Sequence, residues 1–241
     1  MVNIFIYFDA QNSNMKRKMR SLLAITAALS ALLCLCACIP PASAPLALEE
    51  EKEIYLTFDD GPTDSTTPHV LDALQREDVK ATFFVIGRQI AGREEIVRRT
   101  TREGHAIGIH SQTHEYRAIY ASPDALLRDI SACVRSIKKV LPDFDGRLYR
   151  YPGGSFSVPE ALRDAVKAAG WEAHDWNASA EDAVQKNATA RELFQNAVKT
   201  AEGKARVVLL LHDGVNYKET VKALPAIIQH FKKEKYSFKT L

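Results

Sequence analysis

The chain has 241 residues, a formal net charge of +2, 46% hydrophobic residues and four cysteines. Of its 32 basic and 30 acidic residues, four basic and one acidic lie in residues 1–44, which leaves 28 and 29 in the remainder. That near-neutral remainder excludes the basic face that nucleic-acid binding demands, and about 190 residues of this hydrophobicity can bury one core.

The first element is an export segment. Lys16-Arg17-Lys18-Met19-Arg20 is a basic run, and an apolar stretch follows from Leu22 to Ile39, the pattern of a secretory signal. Residues 1–44 are assigned to it, with Met15 and Met19 as alternative starts. Three fates stay open. Leu35-Cys36-Ala37-Cys38 resembles a bacterial lipobox, with Cys38 as the lipidated residue. Ala42-Ser43-Ala44 offers a small-residue cleavage site. The apolar stretch is also almost long enough to remain as an anchor. Residues 45–52 form an acidic linker, and residues 53–241 form one domain. Cys34, Cys36 and Cys38 fall in the export segment, so Cys133 is alone in the domain and no intramolecular disulfide is expected there.

Within the domain, strand and helix patterns alternate. Strands are expected at 53–58, 81–86, 105–109, 147–151, 171–176, 206–212 and 236–240. Helices are expected near 67–77, 89–103, 123–140, 158–169, 189–202 and 217–233. In the third helix Leu126, Leu127, Ile130, Val134, Ile137 and Val140 recur at helical spacing behind a Ser122-Pro123-Asp124 cap, which is a core-facing stripe containing Cys133. This alternation argues for a parallel sheet, either open and doubly wound or closed as a barrel.

The chemistry collects at strand ends. Thr57-Phe58-Asp59-Asp60-Gly61-Pro62 places two adjacent carboxylates where an apolar strand meets a Gly-Pro turn. Asp-Gly is common turn punctuation, but two neighbouring carboxylates repel unless a cation or base role justifies them. His110-Ser111-Gln112-Thr113-His114 follows the third strand with its histidines at i and i+4, one face of a helical turn. With Asp60, the pair makes a set of two imidazoles and one carboxylate suited to Zn, Fe(II), Co or Mn. Arg150-Tyr151-Pro152-Gly153-Gly154 follows Leu148-Tyr149 at the end of the fourth strand, and Leu209-Leu210-Leu211-His212-Asp213-Gly214 closes a buried-strand run with a histidine at its rim.

These four motifs, in this order and over nearly everything from Ile54 to Leu241, resemble the polysaccharide deacetylases, the NodB-homology or carbohydrate esterase family 4 domain. The resemblance implies an irregular (β/α) barrel of about seven parallel strands in a single domain. It implies that Asp59 is the general base and that Asp60, His110 and His114 hold one divalent metal ion, zinc first, with cobalt, manganese or nickel as alternatives. Arg150 would pair with Asp59, and His212 would be the general acid. Leu211 would line the acetyl pocket with Trp176, and the Gly153 backbone N–H would serve the oxyanion. A tyrosine is more usual in the family at Gly153, so an aromatic wall of the groove is expected to be missing.

The resemblance also implies an aspartate supporting the acid histidine. The alignment of Trp171–Asp182 puts Ser179 there, with Asp175 and Asp182 as substitutes. The function implied is removal of N-acetyl groups from an exported N-acetylglucosamine-type polysaccharide, peptidoglycan foremost and chitin-like polymers next. The protein would be a monomer touching membrane only through its signal or lipid anchor. An O-acetyl xylan-type esterase and a catalytically silent wall-binding lipoprotein are the alternatives.

Overall fold

The computed structural model describes residues 51–185 and 187–241. The readings of the export segment, including Cys38, and most of the linker lie outside the described residues. Among those residues, no helix is long and apolar enough to cross a membrane.

Each long strand is an apolar run because both faces of a parallel barrel sheet are buried, one inside the barrel and one under the helices. The strands are β1 (Glu53–Asp59), β2 (Thr82–Ile86), β3 (Ala106–Ser111), β4 (Leu148–Tyr149), β5 (Glu172–Ala173), β6 (Ala178–Ser179), β7 (Arg206–His212) and β8 (Ser237–Lys239). All five residues of β2 are buried. In β7 every residue between Arg206 and His212 is buried. The helices are α1 (Thr67–Arg76), α2 (Glu94–Arg102), α3 (Tyr116–Ile119), α4 (Pro123–Lys138), α5 (Glu160–Ala168), α6 (Ala190–Ala201) and α7 (Lys218–Lys233).

Local chemistry sets the helix starts. The Ser122 side chain accepts from the Ala125 N–H at 3.1 Å and Pro123 opens α4. Thr189 and Glu192 form a reciprocal capping box on α6. The α4 stripe Leu126, Ile130, Cys133 and Ile137 is fully buried in the core.

The strand order is β5-β4-β3-β2-β1-β7-β6, with β8 added beside the start of β1. Every pairing is parallel. This is the expected irregular barrel of seven parallel strands, with a short eighth. Of the strand expected at 171–176 only Glu172–Ala173 forms, as β5; β6 follows beyond it at Ala178–Ser179, and these two are the edges of the sheet. The Arg150 side chain ties this seam: it donates from Nε to the His174 carbonyl at 2.8 Å and from Nη2 to the Asp175 carbonyl at 3.4 Å. In a barrel of this kind the loops at the carboxyl ends of the strands build the site, and Asp59, His110, Arg150 and His212 all stand there.

Candidate active site

Asp59 ends β1 and is 3% exposed. Burying a carboxylate is tolerated only with a partner. Arg150, 0% exposed, supplies it: Nη1 donates to Asp59 Oδ1 at 2.9 Å and to Thr57 Oγ1 at 2.7 Å. The guanidinium also lies 4.2 Å from the Phe84 ring centroid. One carboxylate oxygen is therefore fixed, while Oδ2 faces His110 Nε2 at 3.8 Å.

Asp60 takes a left-handed backbone, φ 75°. This departs from the strict alternation that would send neighbouring strand residues to opposite faces, and both aspartates line one cleft. Asp60 Oδ1 lies 3.6 Å from His110 Nε2 and 3.3 Å from His114 Nε2.

The histidine spacing is realised differently from the expected helical turn. His110 belongs to β3, and His114 follows in a turn with φ 60°. Ser111 Oγ accepts from the His114 N–H at 2.7 Å and closes that turn. Asp129 of α4 anchors it through the Gln112 N–H at 2.7 Å and the Thr113 hydroxyl at 3.2 Å. A serine and an aspartate thus bring the two imidazoles together, their centroids 5.1 Å apart.

These three residues fit a divalent cation. One donor atom from each lies within 4.8 Å of the others. Asp60 Oδ1 is buried and has no hydrogen-bond partner among the described residues, a cost that a bound cation would remove. His110 Nδ1 lies 3.0 Å from the Arg150 carbonyl, so Nδ1 carries the proton and Nε2 presents its lone pair to the cluster. Burial, with neighbouring His110, holds His114 below the ordinary imidazole value against the pull of Asp60 and Asp59; neutral imidazole is the ligating form.

His212 ends β7, where it is the register partner of Asp59 across the β1–β7 pairing. Its Nδ1 lies 2.7 Å from Asp182 Oδ1, and its backbone N–H donates to Asp182 Oδ2 at 2.9 Å. Thr220 Oγ1 donates to the same Oδ2 at 2.8 Å. Asp182, not Ser179, therefore stands behind the histidine; the Ser179 hydroxyl is turned to the Glu181 N–H at 2.9 Å. Asp175 is engaged elsewhere, with the backbone and hydroxyl of Ser155. Burial pulls the His212 pKa down, but the Asp182 hydrogen bond and charge, with Asp59 and Asp60, raise it to about 9. The imidazole stacks on Tyr217, with centroids 5.3 Å apart.

The cleft holds about 490 Å³ and is lined by Asp59, Asp60, His110, His114 and His212, with Tyr116, Gly153 and Trp176 on its walls. That volume suits a small-molecule group or a sugar unit. Leu211 is absent from this wall: it is 0% exposed and packed in the core. Leu210 lines the cleft in its place. The reason is strand parity, since residues 210 and 212 share a face and 211 points to the other. The Gly153 N–H makes no backbone hydrogen bond among the described residues.

Sequence reasoning left Asp182 as one candidate among three and passed over Leu210 and Tyr116. The two-residue alternation of β7 carried the signal for Leu210. Nothing local marked Tyr116.

An arginine-paired carboxylate and an aspartate-paired imidazole on adjacent strand ends, beside a cation-type cluster, are groups that hydrolysis of an acyl bond can use. The family model for polysaccharide deacetylase matches residues 48–174. A peptidoglycan-N-acetylglucosamine deacetylase of Bacillus cereus is 35% identical over 192 residues, covering 79% of this chain and 87% of the relative. The structure of a Streptococcus mutans CE4 esterase superposes with a TM-score of 0.75 at 32% identity, covering 79% of this chain and 86% of that one. The catalytic domain of peptidoglycan N-acetylglucosamine deacetylase from Eubacterium rectale gives a TM-score of 0.72 at 32% identity, covering 85% and 93%. The chain belongs to the polysaccharide deacetylase family, whose hydrolytic chemistry acts on linear amides.

Proposed function

We propose that the protein removes N-acetyl groups from extracytoplasmic N-acetylglucosamine-type polysaccharide, with peptidoglycan as the leading substrate. The observation that carries this reading is the pairing of Asp59 and His212 on adjacent strand ends, each oriented by its own buried partner. Amide hydrolysis needs a base for the attacking water and a separate acid for the departing amine, and the two groups divide those tasks.

Asp60, His110 and His114 would hold the cation, zinc first among Zn, Co, Mn and Ni. Such an ion lowers the pKa of a water toward ~7 and withdraws charge from an acyl oxygen. Asp59 Oδ2 accepts the water proton while Arg150 keeps Oδ1 in place. The Gly153 N–H donates to the developing oxyanion. His212 then delivers its proton from Nε2 to the leaving nitrogen, and Asp182 stabilises the imidazolium beforehand.

Relatives named as peptidoglycan deacetylases support that polymer, and a chitooligosaccharide deacetylase of Bradyrhizobium, 34% identical, keeps chitin-like chains as the second candidate. An extracytoplasmic location rests on the basic run Lys16–Arg20 and the apolar stretch Leu22–Ile39. A silent wall-binding role loses its main support, because Asp182 supplies the carboxylate that role assumed missing. The test is acetate release from peptidoglycan, N-acetylglucosamine oligomers and acetylated xylan. Preference for the first establishes the reading, and release from xylan alone replaces it with an O-acetyl esterase.

A further inference from the structure

Gly153 and Gly154 have φ of +77° and +82°, backbone values that residues with a β-carbon rarely adopt. Each bare α-carbon faces an aromatic ring from elsewhere. A β-carbon at Gly153 would lie 3.0 Å from Tyr116 Cε1 and 3.2 Å from its hydroxyl oxygen. At Gly154 it would lie 2.9 Å from the Trp176 ring and 3.0 Å from the Phe156 ring. The Gly-Gly pair therefore admits aromatic groups on both sides of one loop.

Tyr116 is held firmly over this loop. Its ring meets His114 edge-on at 5.2 Å and Tyr120 edge-on at 6.0 Å. The Tyr120 hydroxyl donates to the Pro152 carbonyl at 2.8 Å, so α3 and the Arg150–Gly154 loop are tied together. Yet Tyr116 remains 47% exposed and lines the cleft. A large ring braced by two perpendicular neighbours and left half bare beside the reacting groups offers aromatic surface to whatever enters.

We infer that Tyr116 determines substrate recognition: its ring is the platform on which the C–H face of the acetylated hexosamine stacks, taking the place of a side chain at position 153. The weakly positive C–H face of a pyranose suits the electron-rich face of an aromatic ring. The expected loss of an aromatic wall at Gly153 is thus offset from a different element. Trp176, beside Phe156 at 5.8 Å, flanks the other side of the loop and encloses the same sugar.

This inference rests on the deacetylase reading, and its test separates the two. Binding of chitotetraose is measured by calorimetry in the Asp59→Asn protein, which removes turnover, for Tyr116 and for Tyr116→Phe, Tyr116→Leu and Tyr116→Ala. Kinetics on the same oligomer are measured in the Asp59 background, with melting temperature as a check on folding. The Phe variant is expected to bind within about twofold of the parent. The Leu and Ala variants are expected to bind roughly tenfold more weakly, with the loss seen in KM rather than kcat.

Equal binding by the Leu and Phe variants would reduce Tyr116 to packing and overturn the inference. So would parental binding by the Ala variant. Acetate release by the parent with all four proteins binding alike sinks this inference alone, whereas no release from any acetylated glycan sinks the deacetylase reading and this inference with it.

Discussion

Asp182 grips His212 twice, at the imidazole Nδ1 over 2.7 Å and at the backbone N–H over 2.9 Å. The double contact fixes the ring's position, holding Nδ1–H on the carboxylate and leaving Nε2 toward the cleft. It also outweighs burial in setting the charge, because His212 is raised to about 9 and stays protonated at neutral pH. An acid of that value is loaded throughout the working range, and activity is expected to fall as pH rises through about 9.

Asp182→Asn should therefore do more than slow the reaction. Removing the carboxylate returns His212 toward the ordinary 6.5, so the alkaline limb of kcat should move down by at least one unit. A loss of roughly 10²-fold or more in kcat at neutral pH should accompany it. Ser179→Ala should remain within about threefold of the parent. A pH–rate profile for each variant checks both statements.

Asp59→Asn is expected to cost on the order of 10²–10⁴ in kcat while leaving bound metal unchanged. His110→Ala and Asp60→Asn should lose metal and activity together. Elemental analysis of each purified variant decides this, and metal loss in Asp59→Asn would mean the two aspartates have exchanged roles.

Arg150 serves the fold as well as the site. Arg150→Met would strand the Asp59 carboxylate at 3% exposure and leave the His174 and Asp175 carbonyls unpaired at the seam. Breaking a buried pair this way costs about 3–5 kcal/mol. Urea denaturation should show that loss, and a variant as stable as the parent would refute the bridging role.

Asp213 gives stability its own pH dependence. Burial, with Asp60 and Asp59, raises its carboxyl to about 7 against the Thr67 hydrogen bond. The folded state then holds a proton that the unfolded chain releases near 3.8. Stability contributed at this position is full below that value and lost as pH rises through about 7. In metal-free protein, the stability difference between Asp213→Asn and the parent should grow in the variant's favour across that window. A flat difference would show that Asp213 ionises freely.

Much of this site was legible because its residues end long apolar strands. Asp59 and His212 follow buried runs whose ends must reach the rim, so their placement needed only the strand pattern. Three features resisted for physical reasons. The 171–176 segment keeps only the two-residue strand Glu172–Ala173, exposed on both residues, so no period marks it, and the next strand, Ala178–Ser179, lies beyond it. His110 and His114 meet through a turn closed by Ser111, which i, i+4 spacing cannot distinguish from a helix. The Asp182–His212 contact joins residues 30 apart through loop geometry that alignment of a degenerate stretch misplaced. Leu211 was the avoidable miss, since strand parity already pointed to Leu210.

The central claim is that Asp59 and His212 act beside a cation held by Asp60, His110 and His114. Acetate release from N-acetylglucosamine oligomers and peptidoglycan by the purified protein, stripped of metal and then supplied with zinc, cobalt or manganese, tests it most directly. The account predicts negligible release without metal and restored release with it. Equal release in both states, or none with metal demonstrably bound, would contradict it.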